Sequence, residues 1–267
     1  MPDDAYINLD FLRLAVAASL IVVSAAISLL LRLGLERRLL LAATRTVVQL
    51  LLLGLVLQWI FERDRWYFVL ALGAAMTVVA GWAAVRRVER RYAGLLLDSV
   101  LAIWVTSWCV TAVGLFGVVR VEPWFLPQYA IPLLGMILHN TLNGISLGMD
   151  RFAAELVGKR AEVETLLALG ATRWEAARGA VQAAVRTGMV PTINTMMVIG
   201  IVSIPGMMTG QLLAGVDPFQ AGMYQMMIMF LIAGGATLGT VGVVLLGYRR
   251  LFTAEHQFLP GRIIGRD

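Results

Sequence analysis

Polar side chains that interrupt otherwise hydrophobic runs are the residues of this 267-residue chain able to do chemistry. His139, Asn140, Asn143 and Ser146 crowd the middle of one run. Spacings of three and four place Met136, Asn140, Asn143 and Leu147 on one helical stripe there, with His139 beside it. Arg45 and Gln49 stand four apart in a second run, and Asn194 and Ser203 punctuate a third. A charged group near the centre of a bilayer costs about 2.5 to 3.5 kcal/mol, so polar groups at that depth face protein or water and mark candidate pathways. Arg45 can also snorkel to lipid headgroups, and a lone buried histidine also serves as an interhelical hydrogen bonder. Nine of the 13 methionines fall between Met189 and Met229, Met207 and Met208 among them. Thioethers suit soft cations such as copper(I) but equally fill irregular apolar gaps, so no metal ligand is assigned to them or to His139. The candidate substrate pathway is therefore Arg45, Gln49, His139, Asn140, Asn143, Asn194, Ser203, Met207 and Met208.

Other chemistry is missing from the sequence. It holds no Gly-x-x-x-x-Gly-Lys-Ser/Thr phosphate loop, no His-Glu-x-x-His and no Gly-x-Ser-x-Gly. The one carboxylate of interest, Asp98, sits at the start of a run, where it can be merely interfacial, so a proton-driven carrier lacks its deep acidic residue. No catalytic residue is expected, and energy for transport has to come from a partner chain.

Composition sets the frame that must position these residues. With 59% apolar and 15% charged residues and a mean hydropathy of +0.79, the chain is an all-α polytopic membrane protein, read as one transmembrane domain over 1–267. Seven windows, about 11–31, 39–60, 67–85, 97–119, 129–149, 190–211 and 222–247, are long and apolar enough to cross roughly 30 Å of hydrocarbon. The start, Met-Pro-Asp-Asp, lacks the basic region of a signal peptide, so the first window is expected to be retained. Placing the N-terminus outside puts 17 basic residues, Arg266 among them, on the cytoplasmic side. Four, Arg13, Arg63, Arg65 and Arg120, then lie outside. Topology and anionic lipid thus explain the net charge of +5 without a nucleic-acid partner. The single cysteine, Cys109, rules out an intrachain disulfide or a cysteine-cluster metal site.

Residues 151–190 form the one long polar segment between apolar windows. Leu156, Val163, Leu166 and Leu167 recur at helical spacing, and Glu155 and Lys159 stand four apart, where they can pair. Gly170 follows the last periodic residue as a helix stop, and Thr172 with Glu175 makes a capping box that starts a second helix. The segment reads as helix, elbow, helix, a docking element for a cytoplasmic partner. The window after it contains Pro205 and Gly206, which predict a break and a candidate hinge. Gly144/Gly148, Gly206/Gly210 and Gly235/Gly239, each four apart, predict close helix packing, within the chain or across a dimer.

Glu164 and Gly170, six apart, resemble the Glu-Ala-Ala-x-x-x-Gly core of the coupling loop in ABC-transporter permeases, although Thr165 and Leu166 replace the alanines and Pro191 lies farther off. More specific is a series in fixed order: Gly135-Met-Ile-Leu-His-Asn140, Leu169-Gly-Ala-Thr172, Val202-Ser-Ile-Pro-Gly-Met-Met-Thr-Gly210, Gly215-Val-Asp-Pro218, Tyr224-Gln225 and the tail Phe252 to Phe258 with His256-Gln257. Together they closely resemble the FetB-like iron-export permeases of bacteria and the plant aluminium-tolerance permeases, over nearly the whole chain. His139 departs from the glycine common at that position in relatives.

The resemblance implies a homodimeric permease of the inner membrane. It implies pairing with a separate FetA-like subunit that holds ATP and Mg and drives iron export. Plant members are linked to nucleotide sugar, so the cargo stays open. Glu164, Leu169, Gly170, Ala171, Thr172, Arg173 and Glu175 are the implied ATPase-coupling residues. A non-transporting anchor or mechanical transmitter is the alternative, disfavoured by short outer loops.

Overall fold

The computed structural model describes residues 10–63 and 65–265; the acidic start and Arg266 lie outside the described residues. Two compact units result, divided between residues 64 and 65.

The first unit is a hairpin of α1 (Phe11–Leu30) and α2 (Glu36–Arg63). Its turn is fixed by Ser28, which donates to Glu36 Oε2 (2.9 Å) and accepts from the Leu35 backbone N–H (3.0 Å). Of the 28 residues in α2 only Ile60 is buried, so the apolar turns of this helix, as well as Arg45 and Gln49, are offered to lipid or protein.

The second unit is built round α5 (Pro127–Gly158). Ile137, Ile145, Phe152 and Leu156 on α5 are fully buried, at separations that return to one helix face. Packed against it are α3 (Trp66–Arg87), α4 (Leu95–Ala112, continued as a π-helical stretch to Val119), α7 (Arg173–Val198) and α9 (Pro218–Leu251). Two short helices, α6 (Arg160–Ala168) and α8 (Gly206–Leu213), complete the set. A three-residue ladder pairs β1 (Arg90–Tyr92) antiparallel with β2 (Ile263–Gly265).

The glycine pairs explain how α5, α7 and α9 approach so closely. A Cβ on Gly188 of α7 would lie 2.6 Å from the Gly144 carbonyl oxygen of α5 and 2.7 Å from Thr240 Cγ2 of α9. Gly148 faces the same Thr240, and Gly235 faces Ile137. Two of the three predicted glycine pairs are thus used inside the chain, while Gly206 and Gly210 have open space around them.

Asp98 is not merely interfacial. It is 2% exposed at the start of α4 and receives a two-pronged bond from Arg250 of α9, Nε to Oδ2 at 2.6 Å and Nη2 to Oδ1 at 2.8 Å. Tyr92 of β1 donates its hydroxyl to the same Oδ2 at 2.9 Å. Burial first, then the charge and hydrogen bond of Asp98, push the Tyr92 phenol far above its ordinary range, so it stays a donor at every physiological pH.

Six helices among the described residues, α1 to α5 and α9, are long and apolar enough to cross a membrane. The predicted window 190–211 differs from these in being divided. Its first part continues α7 straight through Pro191 to Val198, residues 199–205 are irregular, and α8 begins at Gly206. The polar 151–190 segment is likewise shared out, with 151–158 ending α5 and 173–190 belonging to α7.

Candidate functional site

Two regions of the second unit collect the candidate residues. The first is the elbow between α6 and α7. Glu155 pairs with Lys159 (3.1 Å) and with Arg151, and Glu164 with Arg160 (2.7 Å), which stiffens the approach. Leu156 and Val163 are buried and Leu167 is half-buried, whereas Leu166, predicted on the same stripe, is exposed. At the elbow Gly170 adopts φ +91°, a left-handed value that a side chain would strain. Leu169 beside it is 80% exposed, an apolar tip left bare by the described residues.

The capping box forms as the spacing predicts. Glu175 N–H donates to Thr172 Oγ1 (3.3 Å), and Thr172 donates both its backbone N–H and its hydroxyl to Glu175 Oε2 (2.7 Å each). Those bonds from Thr172 hold the Glu175 carboxyl below its usual range. The cap is therefore fully present above the ordinary carboxylate pKa and is lost only as pH falls through the lowered value.

The C-terminal tail grips this elbow, which sequence reasoning missed as a working contact. Arg173 donates its backbone N–H to His256 Nδ1 (2.9 Å) and its Nη1 to the Thr253 carbonyl (3.0 Å). Beneath it Trp174, Tyr248, Phe252 and Phe258 form a continuous aromatic stack with centroid separations of 5.1 to 5.6 Å. The aromatic residues were visible in the sequence; that they meet α7, some 80 residues away, was not.

The second region is the irregular stretch 199–205. Pro205 lacks the donor an uninterrupted helix needs, and its ring disfavours helical backbone at Ile204. Gly200 takes φ +80°, and its N–H turns back to the Ser203 carbonyl at 2.9 Å. Pro205 itself caps α8, as the predicted break requires.

Two adjoining clefts open at this break. One, of about 300 Å³, is lined by Asn140, Ser203 and Met207 together with Met136, Thr195 and Gln225. The other, of about 480 Å³, has Met196, Met208, Met226 and Phe230 on its walls. Ile199, Pro205, Gln225 and Met229 line both. The structure thus brings Asn140, Ser203 and Met207 to one cleft and Met208 to the adjoining one.

The other pathway candidates are not among the residues lining either cleft. Asn143 and His139 form a separate string on α5, in which Arg87 Nη1 donates to Asn143 Oδ1 (2.5 Å) and Asn143 Nδ2 meets His139 Nε2 (3.1 Å). His139 is exposed, Asn194 is exposed on α7 outside both clefts, and Arg45 and Gln49 are exposed on α2 in the first unit. Among the described residues no group of three His, Cys, Asp or Glu is placed to hold a metal. Gln225, quoted above only in the Tyr224-Gln225 motif, is a cleft residue absent from the predicted pathway. It is the only amide in the window 222–247, so the rule that selected Asn140 would have found it.

Comparison with known proteins agrees with this architecture. Residues 11–252 match the family described as Uncharacterised protein family (UPF0014). A UPF0014 membrane protein of Synechocystis is 39% identical over 96% of this chain and 99% of its own length. The Escherichia coli "Probable iron export permease protein FetB" is 31% identical over 94% and 96%, and Protein ALUMINUM SENSITIVE 3 of Arabidopsis thaliana 30% over 90% and 88%. No solved structure matches significantly. With a match spanning nearly the whole chain and relatives aligned almost end to end, this multi-pass membrane protein belongs to the UPF0014 family, alongside the FetB-like permeases and their plant relatives.

Proposed function

We propose that this permease is the transmembrane subunit of an ATP-driven exporter of the bacterial inner membrane, with iron or a related metal as cargo. Two copies form the pathway, with the N-terminus outside and the elbow in the cytoplasm. A separate ATPase holds ATP and Mg and docks on residues 164–175. The observation that carries the reading is the elbow itself. A capped, ion-paired and tail-braced helix pair ends in the bare apolar tip of Leu169, and α7 runs from it without interruption to the break beside the clefts. Pro205 and Gly206 then serve as the hinge at which motion of α7 changes the clefts. Iron comes from the similarity to the Escherichia coli protein named for its export.

Everted vesicles holding the chain and its ATPase should accumulate iron only when ATP is supplied. Absence of ATP-dependent uptake of iron, other metals and nucleotide sugars would defeat the exporter reading. For the elbow, Gly170→Val should weaken ATPase co-purification roughly tenfold, in line with about 1 to 2 kcal/mol for a side chain forced into left-handed backbone. Glu164→Lys should act in the same direction by breaking the Arg160 pair. Both variants should insert normally, and undiminished co-purification of both would remove the elbow from the docking site.

A further inference from the structure

We propose that the cleft at the α7–α8 break binds a soft, singly charged cation through the thioethers of Met136, Met207 and Met229 and the amide oxygen of Gln225. This is a statement about binding, and it rests neither on the exporter reading nor on iron as the cargo.

Gln225 supplies the first observation. Its residue is 8% exposed, and its Oε1 is buried without a hydrogen-bond partner while lining both clefts. A buried acceptor left unmatched costs about 1 to 3 kcal/mol, so its place in the fold makes sense if a ligand completes it. That ligand has to bring a hydrogen-bond donor or a positive charge.

The remaining walls narrow the choice. Asn140 engages its Nδ2 with the Met136 carbonyl (2.9 Å), and Thr195 gives its hydroxyl proton to the Pro191 carbonyl (2.9 Å). Both therefore turn a donor back onto their own helix and away from the ligand. Among the described residues, neither cleft has a charged side chain in its walls. A hard divalent or trivalent ion would find no carboxylate to replace its water or balance its charge. A soft monovalent cation sheds water readily for neutral sulfur, and six methionines line the two clefts: Met136, Met196, Met207, Met208, Met226 and Met229.

Filling of apolar space is the competing role for these methionines, and leucine separates the two. Leucine has nearly the volume of methionine and fills a gap almost as well, but it cannot coordinate. The probe is Ag(I) in chloride-free buffer, measured by equilibrium dialysis on the purified full chain without ATPase. A Cys109→Ser background removes the exposed thiol, which would bind silver on its own. Silver should bind at about one equivalent. Met207→Leu with Met229→Leu should weaken it at least tenfold with thermal stability unchanged, and Gln225→Leu should weaken it several-fold.

Unchanged silver binding in the double variant overturns the proposal, as does Fe(II) bound under anaerobic conditions as tightly as silver and with the same dependence on Met207 and Met229. If the double variant does not fold, Met136→Leu and Gln225→Leu carry the same test singly. Vesicles without ATP-driven uptake would defeat the exporter reading and leave this binding result standing.

Discussion

Arg250→Leu should lower stability by roughly 3 kcal/mol, the largest loss expected from any single side chain on the surface of the second unit. The reason is what it leaves behind. The Asp98 side chain is 3% exposed and keeps only the Tyr92 hydroxyl once both guanidinium bonds are gone. Breaking a buried pair on one side costs about 3 to 5 kcal/mol, and the 41% exposure of Arg250 places this case at the lower end because water can partly follow. Replacing both partners, Asp98→Leu with Arg250→Leu, should recover most of the loss, since no charge is then stranded. Tyr92→Phe should cost about 1 to 2 kcal/mol. Thermal unfolding in detergent, followed by size-exclusion chromatography, measures these three variants and the single Asp98→Leu; a double variant as unstable as the sum of the two singles would show that the pair is not coupled.

Gly188→Val is the second large effect. The added carbons would meet the Gly144 carbonyl, which is backbone and cannot turn aside, and Thr240 on the third helix. Overpacking of this kind costs about 1 to 3 kcal/mol, and here relief requires α5, α7 and α9 to move apart together, so the upper end applies. Gly179, on the same helix with open space around it, is the matched control. Gly179→Ala should be neutral or stabilising by up to about 1 kcal/mol, because alanine is the better helix former. Equal losses at the two positions would mean that general helix properties, rather than the three-helix contact, set the effect.

The sequence announced what depends on local chemistry. Apolar length located the membrane helices, Thr172 and Glu175 announced the capping box, and Pro205 announced the break. What it hid depends on partners distant in the chain. The window 190–211 reads as opening beside Pro191, yet α7 runs through that proline, held by packing along Ala180, Ala184 and Gly188 that outweighs one missing backbone bond. Asp98 reads as interfacial until Arg250, 152 residues away, is placed against it. The strands β1 and β2 are three residues each and about 170 apart, too short to carry a pattern of their own. At the clefts, Asn140, Ser203 and Met207 were selected by residue type, while Asn194, of the same type, faces away because helix rotation, not composition, decides which side is used.

The unbroken course of α7 has a mechanical consequence. Arg173 lies 15 residues before Gly188 and Val198 ten after it, about 22 Å and 15 Å of helix respectively. If the proposed ATPase pushes on the elbow, Gly188, set against Gly144, would act as a fulcrum and α7 as a lever whose long arm is at the elbow. A 3 Å push there would become a shift of about 2 Å at the break, in the opposite direction and with greater force. A glycine at that contact would then set the gearing of such a stroke as well as the tightness of the packing.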